Sequence, residues 1–391
     1  MIQFVSGLND GNLGIILPSI KAHYGLNQYV VSIIFLCNAA GYMTAAVLNG
    51  YLIRSTSQSK TALLGACSMI VGYLVNLFAV PFPVMCIFMT TIGFGIALTQ
   101  AAANVVCGEM PYGMLMLSFL HAFYAGGALV GPLLASGLLS SQKPWNTSYM
   151  VFATTVAAST TTPSDQESMT CKEQANSKNT NLLSQIFKFR ITSIGAVFLL
   201  FYTGTEVTIG NWGYTYLIST RSTDTNAMAH LMTGYWAGIC AGRLFLGFAT
   251  SRFGEKRMVY CYLAMIVVMM VLLWLLPYIG ANATSLVITG IMLGPIFPTV
   301  VSVAHNIVPT HLYATCVGFL SAFASAGTAL FPYATGVLIG AEGVSAMLPF
   351  CIATSCAMLI MWFFVPDPRP PTKFSAKMRT WKTQILTSIR S

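Results

Sequence analysis

Apolar stretches of about 20 residues, the length an α-helix needs to cross a bilayer, recur along most of this chain. Twelve such stretches fall into two sets of six, and residues 163–188 between the sets are rich in Ser, Thr, Asn and Lys and lack apolar periodicity. The twelve stretches are 1–20, 29–53, 62–80, 83–106, 113–139, 146–162, 191–217, 226–249, 257–278, 283–308, 312–339 and 341–365. The pattern predicts an all-α membrane protein built from two six-helix bundles.

The first and sixth stretches are weaker than the others. The first begins at Met1, already close to Asp10, and the sixth, from Trp145 to Thr162, is crowded with threonines. We therefore expect both spans to be incomplete, with part of the first helix missing from the amino terminus.

Segments of the two sets repeat at a nearly constant offset. Residues 119–132 and 319–332 share Phe-Leu-x-Ala-Phe followed by Gly and Pro at the same places. Gly41 and Gly50 are spaced like Gly238 and Gly247, and Asp10 with Gly14 matches Glu206 with Gly210. Three traces in chain order indicate a duplicated half, which is typical of transporters with a site between their halves.

The composition excludes most other classes of protein. Charged residues make up 7% and hydrophobic residues 55%, whereas a soluble domain carries about 25% charged residues. The ten cysteines are scattered without metal-ligand spacing. No hydrolase, metalloprotease or nucleotide-binding motif is present, so we expect neither an enzyme nor a cofactor or metal.

Lysine and arginine predict the orientation. With both termini in the cytoplasm, fifteen of the nineteen basic residues lie on the cytoplasmic side, so the net charge of +9 does not indicate a nucleic-acid partner. This topology predicts four regions: an N-terminal bundle, a cytoplasmic linker, a C-terminal bundle and a basic tail, at 1–162, 163–188, 189–366 and 367–391. The tail could be an amphipathic helix on the inner leaflet or a disordered segment. Two sequons, at Asn146 and Asn282, fall on the outer side and are predicted glycosylation sites.

Ionisable groups inside a bilayer are costly and therefore point to function. Asp10 lies in the first stretch beside Gly11, and a desolvated carboxylate there could take up a proton near neutral pH; the alternative is a structural hydrogen bond. Glu206 occupies the matching place in the second half and could assist proton coupling, bind solute or pair with Arg243. Arg243 lies among small residues, and we expect it to form a cytoplasmic gate or to snorkel to the interface.

Polar and aromatic groups within the apolar stretches form the predicted solute site. Gln100 and Asn104 lie one helical turn apart and share a face, where they serve either as helix-to-helix contacts or as ligands of sugar hydroxyls. A lone histidine in an apolar helix is more often a core residue than a ligand. The predicted substrate-binding residues are Asn9, Gln100, Asn104, His121, Tyr124, Tyr202 and Trp212.

Several motifs resemble those of the major facilitator superfamily. The segment from Gly247 to Arg257 resembles the signature loop of that superfamily, with Ser251 in place of the usual aspartate. We predict that Arg252 in this segment is a second gate residue beside Arg243. Leu8-Asn9-Asp10 and Gln100-Ala-Ala-Ala-Asn104 resemble motifs of the fucose-permease-type sugar:proton symporters and their fungal relatives. The resemblance implies alternating access of two six-helix bundles, an acid at Asp10 for proton coupling, and a sugar-like substrate.

We therefore predict a multi-pass, monomeric secondary carrier that moves a small polar solute together with protons through the lipid bilayer. A transporter-derived protein that no longer transports is the main alternative, and a channel or membrane enzyme is a weaker one. A channel would pass a constitutive ion current in bilayers, and a carrier would not.

Overall fold

The computed structural model describes residues 1–109, 113–161 and 185–366. Within these ranges the chain is helical and contains no strand. The first half forms α1 (Ile2–Tyr24), α2 (Gln28–Ser55), α3 (Gln58–Leu77), α4 (Phe82–Glu109), α5 (Gly113–Ser140) and α6 (Thr147–Thr161). The second half forms α7 (Arg190–Thr220), α8 (Thr225–Ala241), α9 (Gly247–Phe253), α10 (Glu255–Leu275), α11 (Ile279–Leu293), α12 (Ile296–Ile307), α13 (Thr310–Glu342) and α14 (Met347–Phe364).

Each of the twelve predicted stretches coincides with a helix or a closely joined pair of helices. The eighth stretch is α8 and α9, joined by a π-helical turn at Gly242–Leu246, and the tenth is α11 and α12, which meet at Gly294 and Pro295. Among the described residues, nine helical stretches are long and apolar enough to span a membrane. Three of the twelve stretches fall outside this set, namely α1, α6 and α8. The centre of α1 carries Asn9 and Asp10, and α6 has only 15 residues.

Polar residues at the helix ends explain several of the boundaries. The side chain of Asn27 accepts a hydrogen bond from the amide of Val30, and Asp224 does the same for Ala227. These are N-cap contacts that satisfy backbone donors at the start of α2 and α8. Gly25, with φ of 61°, ends α1 in the left-handed conformation that glycine adopts without strain.

The helices pack in equivalent pairs in the two halves, which is the duplication expressed in three dimensions. Helix α1 packs on α5 as α7 packs on α13, and α2 packs on α4 as α8 packs on α11. A Cβ atom at Gly41 would lie 2.0 Å from the carbonyl oxygen of Thr90, and one at Gly238 would lie 2.4 Å from that of Val287. Glycine at both positions therefore permits the same close crossing of backbones.

Three pairs of helices join the halves: α1 with α7, α2 with α13, and α5 with α8. The two ends of the bundle are named after a glycine at each. The Gly25 side carries the connections 25–27, 221–224 and 343–346, and the Gly254 side is the opposite end. At the Gly25 side the halves touch, because a Cβ atom at Gly336 of α13 would lie 2.3 Å from that of Ser32 in α2.

The same two helices are exposed at the Gly254 side. No described heavy atom lies within 4 Å of a Cβ atom placed at Gly50 of α2 or at Gly318 of α13. Val47 and Tyr51 of α2 are 78% and 70% exposed. The halves are thus in close contact at the Gly25 side, whereas α2 and α13 are exposed at the Gly254 side.

The predicted boundaries of the four regions remain predictions. Most of the linker and the whole of the basic tail lie outside the described residues. The orientation that places both termini in the cytoplasm is likewise a prediction, and it would make the Gly254 side cytoplasmic.

Candidate functional site

Asp10 is held at the middle of α1 by neutral neighbours. The hydroxyl of Tyr124, on α5, donates to the Oδ2 atom of Asp10 at 2.6 Å, and the amide of Asn9 lies 3.3 Å from its Oδ1 atom. The close approach of α1 to α5 depends on Gly7, since a Cβ atom there would lie 1.9 Å from the carbonyl oxygen of Tyr124. Among the described residues, no ion pair involves Asp10.

Glu206 has a charged partner instead. One of its carboxylate oxygens lies 2.9 Å from the Nη2 atom of Arg243, and both side chains are largely buried. The hydroxyl of Tyr235 donates to the carbonyl oxygen of Glu206 at 2.9 Å, which ties α8 to α7 at this level. A buried ion pair is costly to break, because removal of one partner leaves an uncompensated charge.

The π-helical turn carries Arg243 into this position. Such turns add a residue to a helical turn and occur often at functional sites. Gly242 precedes Arg243 and packs on α11, where a Cβ atom would lie 2.1 Å from the carbonyl oxygen of Ile291. The structure forms the Glu206–Arg243 pair that the sequence offered as one alternative, near the middle of α7; a gating role for Arg243 remains a prediction.

Arg243 also reaches the other half of the molecule. Its Nη1 atom lies 3.5 Å from the carbonyl oxygen of His121, and its guanidinium carbon lies 6.0 Å from the centre of the Tyr124 ring. Asp10, Tyr124, Arg243 and Glu206 therefore form a chain of contacts from α1 through α5 to α8 and α7. We call these four residues the central cluster.

The remaining predicted residues lie around this cluster or apart from it. The indole nitrogen of Trp212 donates to the carbonyl oxygen of Pro332 at 2.8 Å, and the hydroxyl of Tyr202 donates to that of Leu293 at 3.1 Å. Both side chains are fully buried in this conformation, so neither faces an open cavity. His121 is partly exposed, and its ring centre lies 6.0 Å from that of Phe297.

Gln100 and Asn104 lie on α4 and are half-buried. The side-chain oxygen of Asn104 has no hydrogen-bond partner among the described residues, and no recorded polar contact joins either amide to the central cluster. Arg252 is exposed on α9 at the Gly254 side. The roles predicted for these residues in substrate binding and gating remain predictions.

Glycosylation of Asn146 and Asn282 remains a prediction, and both side-chain amides make contacts within the fold. Asn282 is fully buried, and with its amide oriented to satisfy its neighbours it donates to the carbonyl oxygen of Leu276 and accepts from Arg221. The amide nitrogen of Asn146 donates to the carbonyl oxygen of Leu77 at 2.6 Å. Both nitrogens that a glycan would occupy are engaged in structural contacts.

Two features of the site were missed in the sequence. Tyr235 is an aromatic residue in an apolar helix, and its sequence neighbours do not show that it reaches Glu206. The π-helical turn has no sequence signature except the Gly242-Arg243 pair. Among the described residues, no group of three His, Cys, Asp or Glu side chains is arranged to hold a metal ion.

The whole chain matches a known family of membrane proteins. The family model of the Major Facilitator Superfamily matches residues 1–315 and 194–390. The chain belongs to the major facilitator superfamily. Its fold and family are those of transporters, which are not enzymes, and it is an integral, multi-pass membrane protein.

Relatives of this superfamily member include fungal and bacterial proteins. It is 26% identical to "Bypass of stop codon protein 6" of Saccharomyces cerevisiae, over 94% of this chain and 81% of that protein. It is 22% identical to a "Glucose/galactose transporter" of Brucella abortus, over 93% of this chain and 90% of the relative.

Solved structures of transporters share the fold. The Escherichia coli fucose:proton symporter FucP aligns with 94% of this chain and 97% of its own at 16% identity, with a TM-score of 0.65. The nucleoside transporter NupG aligns with 93% of this chain and 97% of its own at 13% identity, with a TM-score of 0.76. At these identities the likeness shows the fold, here the major facilitator fold with two six-helix bundles.

Proposed function

We propose that this transporter couples the movement of a small, sugar-like solute to that of protons, and that Asp10 carries the proton. The observation that supports the proposal is the contrast between the two central acids. Asp10 contacts neutral groups, the Tyr124 hydroxyl and the Asn9 amide. A buried carboxyl group without a fixed cation is stable in its neutral form, so it can bind and release a proton during transport.

Glu206 assists proton coupling in a different way, because it is paired with Arg243 at 2.9 Å. The pair holds a fixed positive group beside the Tyr124 ring and the His121 carbonyl. Solute binding that draws Arg243 toward itself would weaken these contacts across the halves. Loading of the site would thereby be linked to the protonation of Asp10, because Tyr124 contacts Arg243 through its ring and Asp10 through its hydroxyl.

The solute would bind between the halves near the central cluster. Asn9, Tyr124, His121 and Arg243 offer hydroxyl, amide and guanidinium groups that suit a polyhydroxylated ligand. We assign Gln100 and Asn104 of α4 to the wall of this site at the Gly254 side. The substrates printed for the bacterial relatives, glucose and galactose, and for the structural neighbour, fucose, support the same class of solute.

Alternating access would separate the halves at the Gly25 side and bring them together at the Gly254 side. We propose that, with the Gly254 side in the cytoplasm, this arrangement is an inward-facing state. Trp212 of α7 and Phe35 of α2, whose ring centres are 6.1 Å apart, face each other between the halves. These two residues would separate in the outward-facing state, and Trp212 would then become accessible to the solute.

Reconstituted protein provides the test. Proteoliposomes would be loaded with buffer and assayed for uptake of glucose, galactose, fucose and a nucleoside, with and without an inward proton gradient. We expect accumulation of a sugar that depends on the gradient. In Asp10→Asn, gradient-driven accumulation should be lost, while exchange of the solute down its own gradient persists.

A matched control removes an acid outside the site. Glu342 is exposed at the end of α13, so Glu342→Gln should keep full accumulation. Uphill uptake by Asp10→Asn at the wild-type level would refute the role of Asp10. Absence of uptake of every solute by folded wild-type protein would favour the transporter-derived protein without transport activity.

A further inference from the structure

A cavity with a mixed polar and apolar lining lies away from the central cluster, at the Gly25 side of the molecule. It has a volume of about 330 Å³ and is lined by residues of both halves. Lys21, Pro18 and Gln28 contribute from α1 and α2, and Thr215 and Ser219 contribute from α7. Next to the cavity, on the side away from Gly25, α1 and α7 are in close contact, since a Cβ atom at Gly14 would lie 2.3 Å from the carbonyl oxygen of Gly210.

The lining of this cavity contains a cation without an ion-pair partner and a buried hydroxyl without a hydrogen-bond partner among the described residues. Lys21 is the charged residue of the lining, and it has no ion-pair partner among the described residues. Thr215 is 6% exposed, and its hydroxyl has no hydrogen-bond partner in the part of the chain that the structure describes. A buried hydroxyl without a partner costs free energy, so a ligand that completes it would be stabilised.

We propose that this cavity is a binding site for a small oxyanion, such as a carboxylate or phosphate group. The Lys21 ammonium supplies the charge, and the Thr215 and Ser219 hydroxyls and the Gln28 amide supply hydrogen-bond donors. No carboxylate lines the cavity to repel the anion. The volume of about 330 Å³ is enough for the oxyanion and part of the molecule that carries it.

The position of the site gives it a regulatory consequence. An anion bound to Lys21 in the first half and to Thr215 in the second half bridges α1 and α7 where they must separate to open the Gly25 side. A ligand that binds one of two states shifts the population toward that state. The oxyanion would therefore hold the Gly25 side closed and slow transport; this consequence rests on the proposed function, whereas the binding itself does not.

Titration of purified protein tests the binding. Protein in neutral detergent would be titrated with sodium phosphate or sodium acetate against sodium chloride at equal ionic strength, with calorimetry and thermal melting as readouts. Lys21→Gln should weaken phosphate binding by about tenfold or more, because it removes a charge-assisted contact. Thr215→Val should also weaken it while leaving the melting temperature of the anion-free protein unchanged or raised, since the lost hydroxyl has no partner.

Lys143→Gln is the matched control, because Lys143 is exposed at the same side and does not line the cavity. Equal loss of binding in Lys143→Gln and Lys21→Gln would show general attraction of anions to the surface and overturn the site. Wild-type binding by both Lys21→Gln and Thr215→Val, or absence of any anion effect on the wild type, would overturn it as well.

Lipid arms identify the source of the oxyanion. In nanodiscs of phosphatidylcholine, free phosphate should raise the melting temperature of the wild type more than that of Lys21→Gln. If phosphatidylglycerol nanodiscs instead reproduce that difference without added phosphate, the site is assigned to a lipid headgroup. Equal melting of the wild type and Lys21→Gln in both lipids, with and without phosphate, would overturn the proposal. None of these measurements depends on transport, so failure of the uptake assay would leave them interpretable.

Discussion

The two halves of this transporter pack alike but differ in chemistry. Gly41 and Gly238 occupy equivalent crossings, and a side chain at either would meet a carbonyl oxygen of the neighbouring helix. Asp10 and Glu206 are also equivalent in sequence, yet Asp10 is hydrogen-bonded to Tyr124 whereas Glu206 is paired with Arg243. The comparison suggests that a duplicated bundle keeps its crossings, which geometry requires, while each half is free to change the partner of its acid.

The largest effect on stability should come from Glu206→Gln. It leaves the Arg243 guanidinium buried without its counter-charge, and breaking a buried pair in this way costs about 3–5 kcal/mol. Thermal unfolding in detergent would measure the loss. The double variant Glu206→Gln with Arg243→Met should regain most of it, because no charge is then left unpaired. A melting temperature of the single variant equal to that of the wild type would contradict the role of the pair.

The second-largest loss of stability should be equal for equivalent substitutions in the two halves. Gly41→Ala and Gly238→Ala each place a methyl group against a backbone carbonyl, and overpacking of this kind costs about 1–3 kcal/mol. Gly50→Ala and Gly247→Ala are their equivalent controls, because no described atom lies within 4 Å of a Cβ atom at either site. These controls should unfold at the wild-type temperature or above it. A lower unfolding temperature in only one of the two variants, Gly41→Ala or Gly238→Ala, would contradict the equivalent packing of the two halves.

A smaller effect is expected from Tyr124→Phe. The variant loses the hydrogen bond to Asp10 and keeps the ring beside Arg243, so the fold should persist. Loss of one hydrogen bond between neutral groups costs about 0.5–1.5 kcal/mol, and we expect uptake of the solute to slow by up to about tenfold. Initial rates in proteoliposomes would measure it. Rates that match the wild type would show that the Asp10 contact is dispensable.

The smallest effect on stability should come from Asp10→Asn. The amide is nearly isosteric with a neutral carboxyl group, and no buried cation loses its partner. We expect a melting temperature close to that of the wild type, although coupling to protons is lost. Strong destabilisation by Asp10→Asn, comparable with that of Glu206→Gln, would show that the two acids have the same structural role. It would contradict the difference between a paired Glu206 and an unpaired Asp10.

The sequence predicted the spans and the duplication well, for a physical reason. A membrane helix must carry an apolar stretch long enough for the bilayer, so its presence is visible residue by residue. The polar residues in α1 and the short α6 were also visible, and both helices lie outside the set that qualifies by length and apolarity. The bend at Gly294 and Pro295 follows from residues that tolerate an interrupted helix.

The depth and the partners of single polar side chains were harder to predict. Arg243 lies beside Glu206 because a π-helical turn and the close packing of Gly242 direct it there, and local sequence does not encode the register of α8 against α7. The sequons at Asn146 and Asn282 satisfied a sequence rule, but tertiary contacts occupy both amides. Trp212 was predicted to bind solute; its side chain is fully buried, its indole nitrogen donates to Pro332 in the same half, and its ring lies 6.1 Å from that of Phe35 in the other half.

The amino-acid sequence by itself determined that this chain crosses a membrane many times in two related halves, because bilayer insertion depends on local apolarity and a repeat is read along the chain. It also indicated which acids are buried. The tertiary structure alone decided that one acid is paired and the other is not, at which end the halves are in close contact, and that Lys21 and Thr215 share a cavity. Those features depend on residues from helices far apart in sequence, and only packing brings them together.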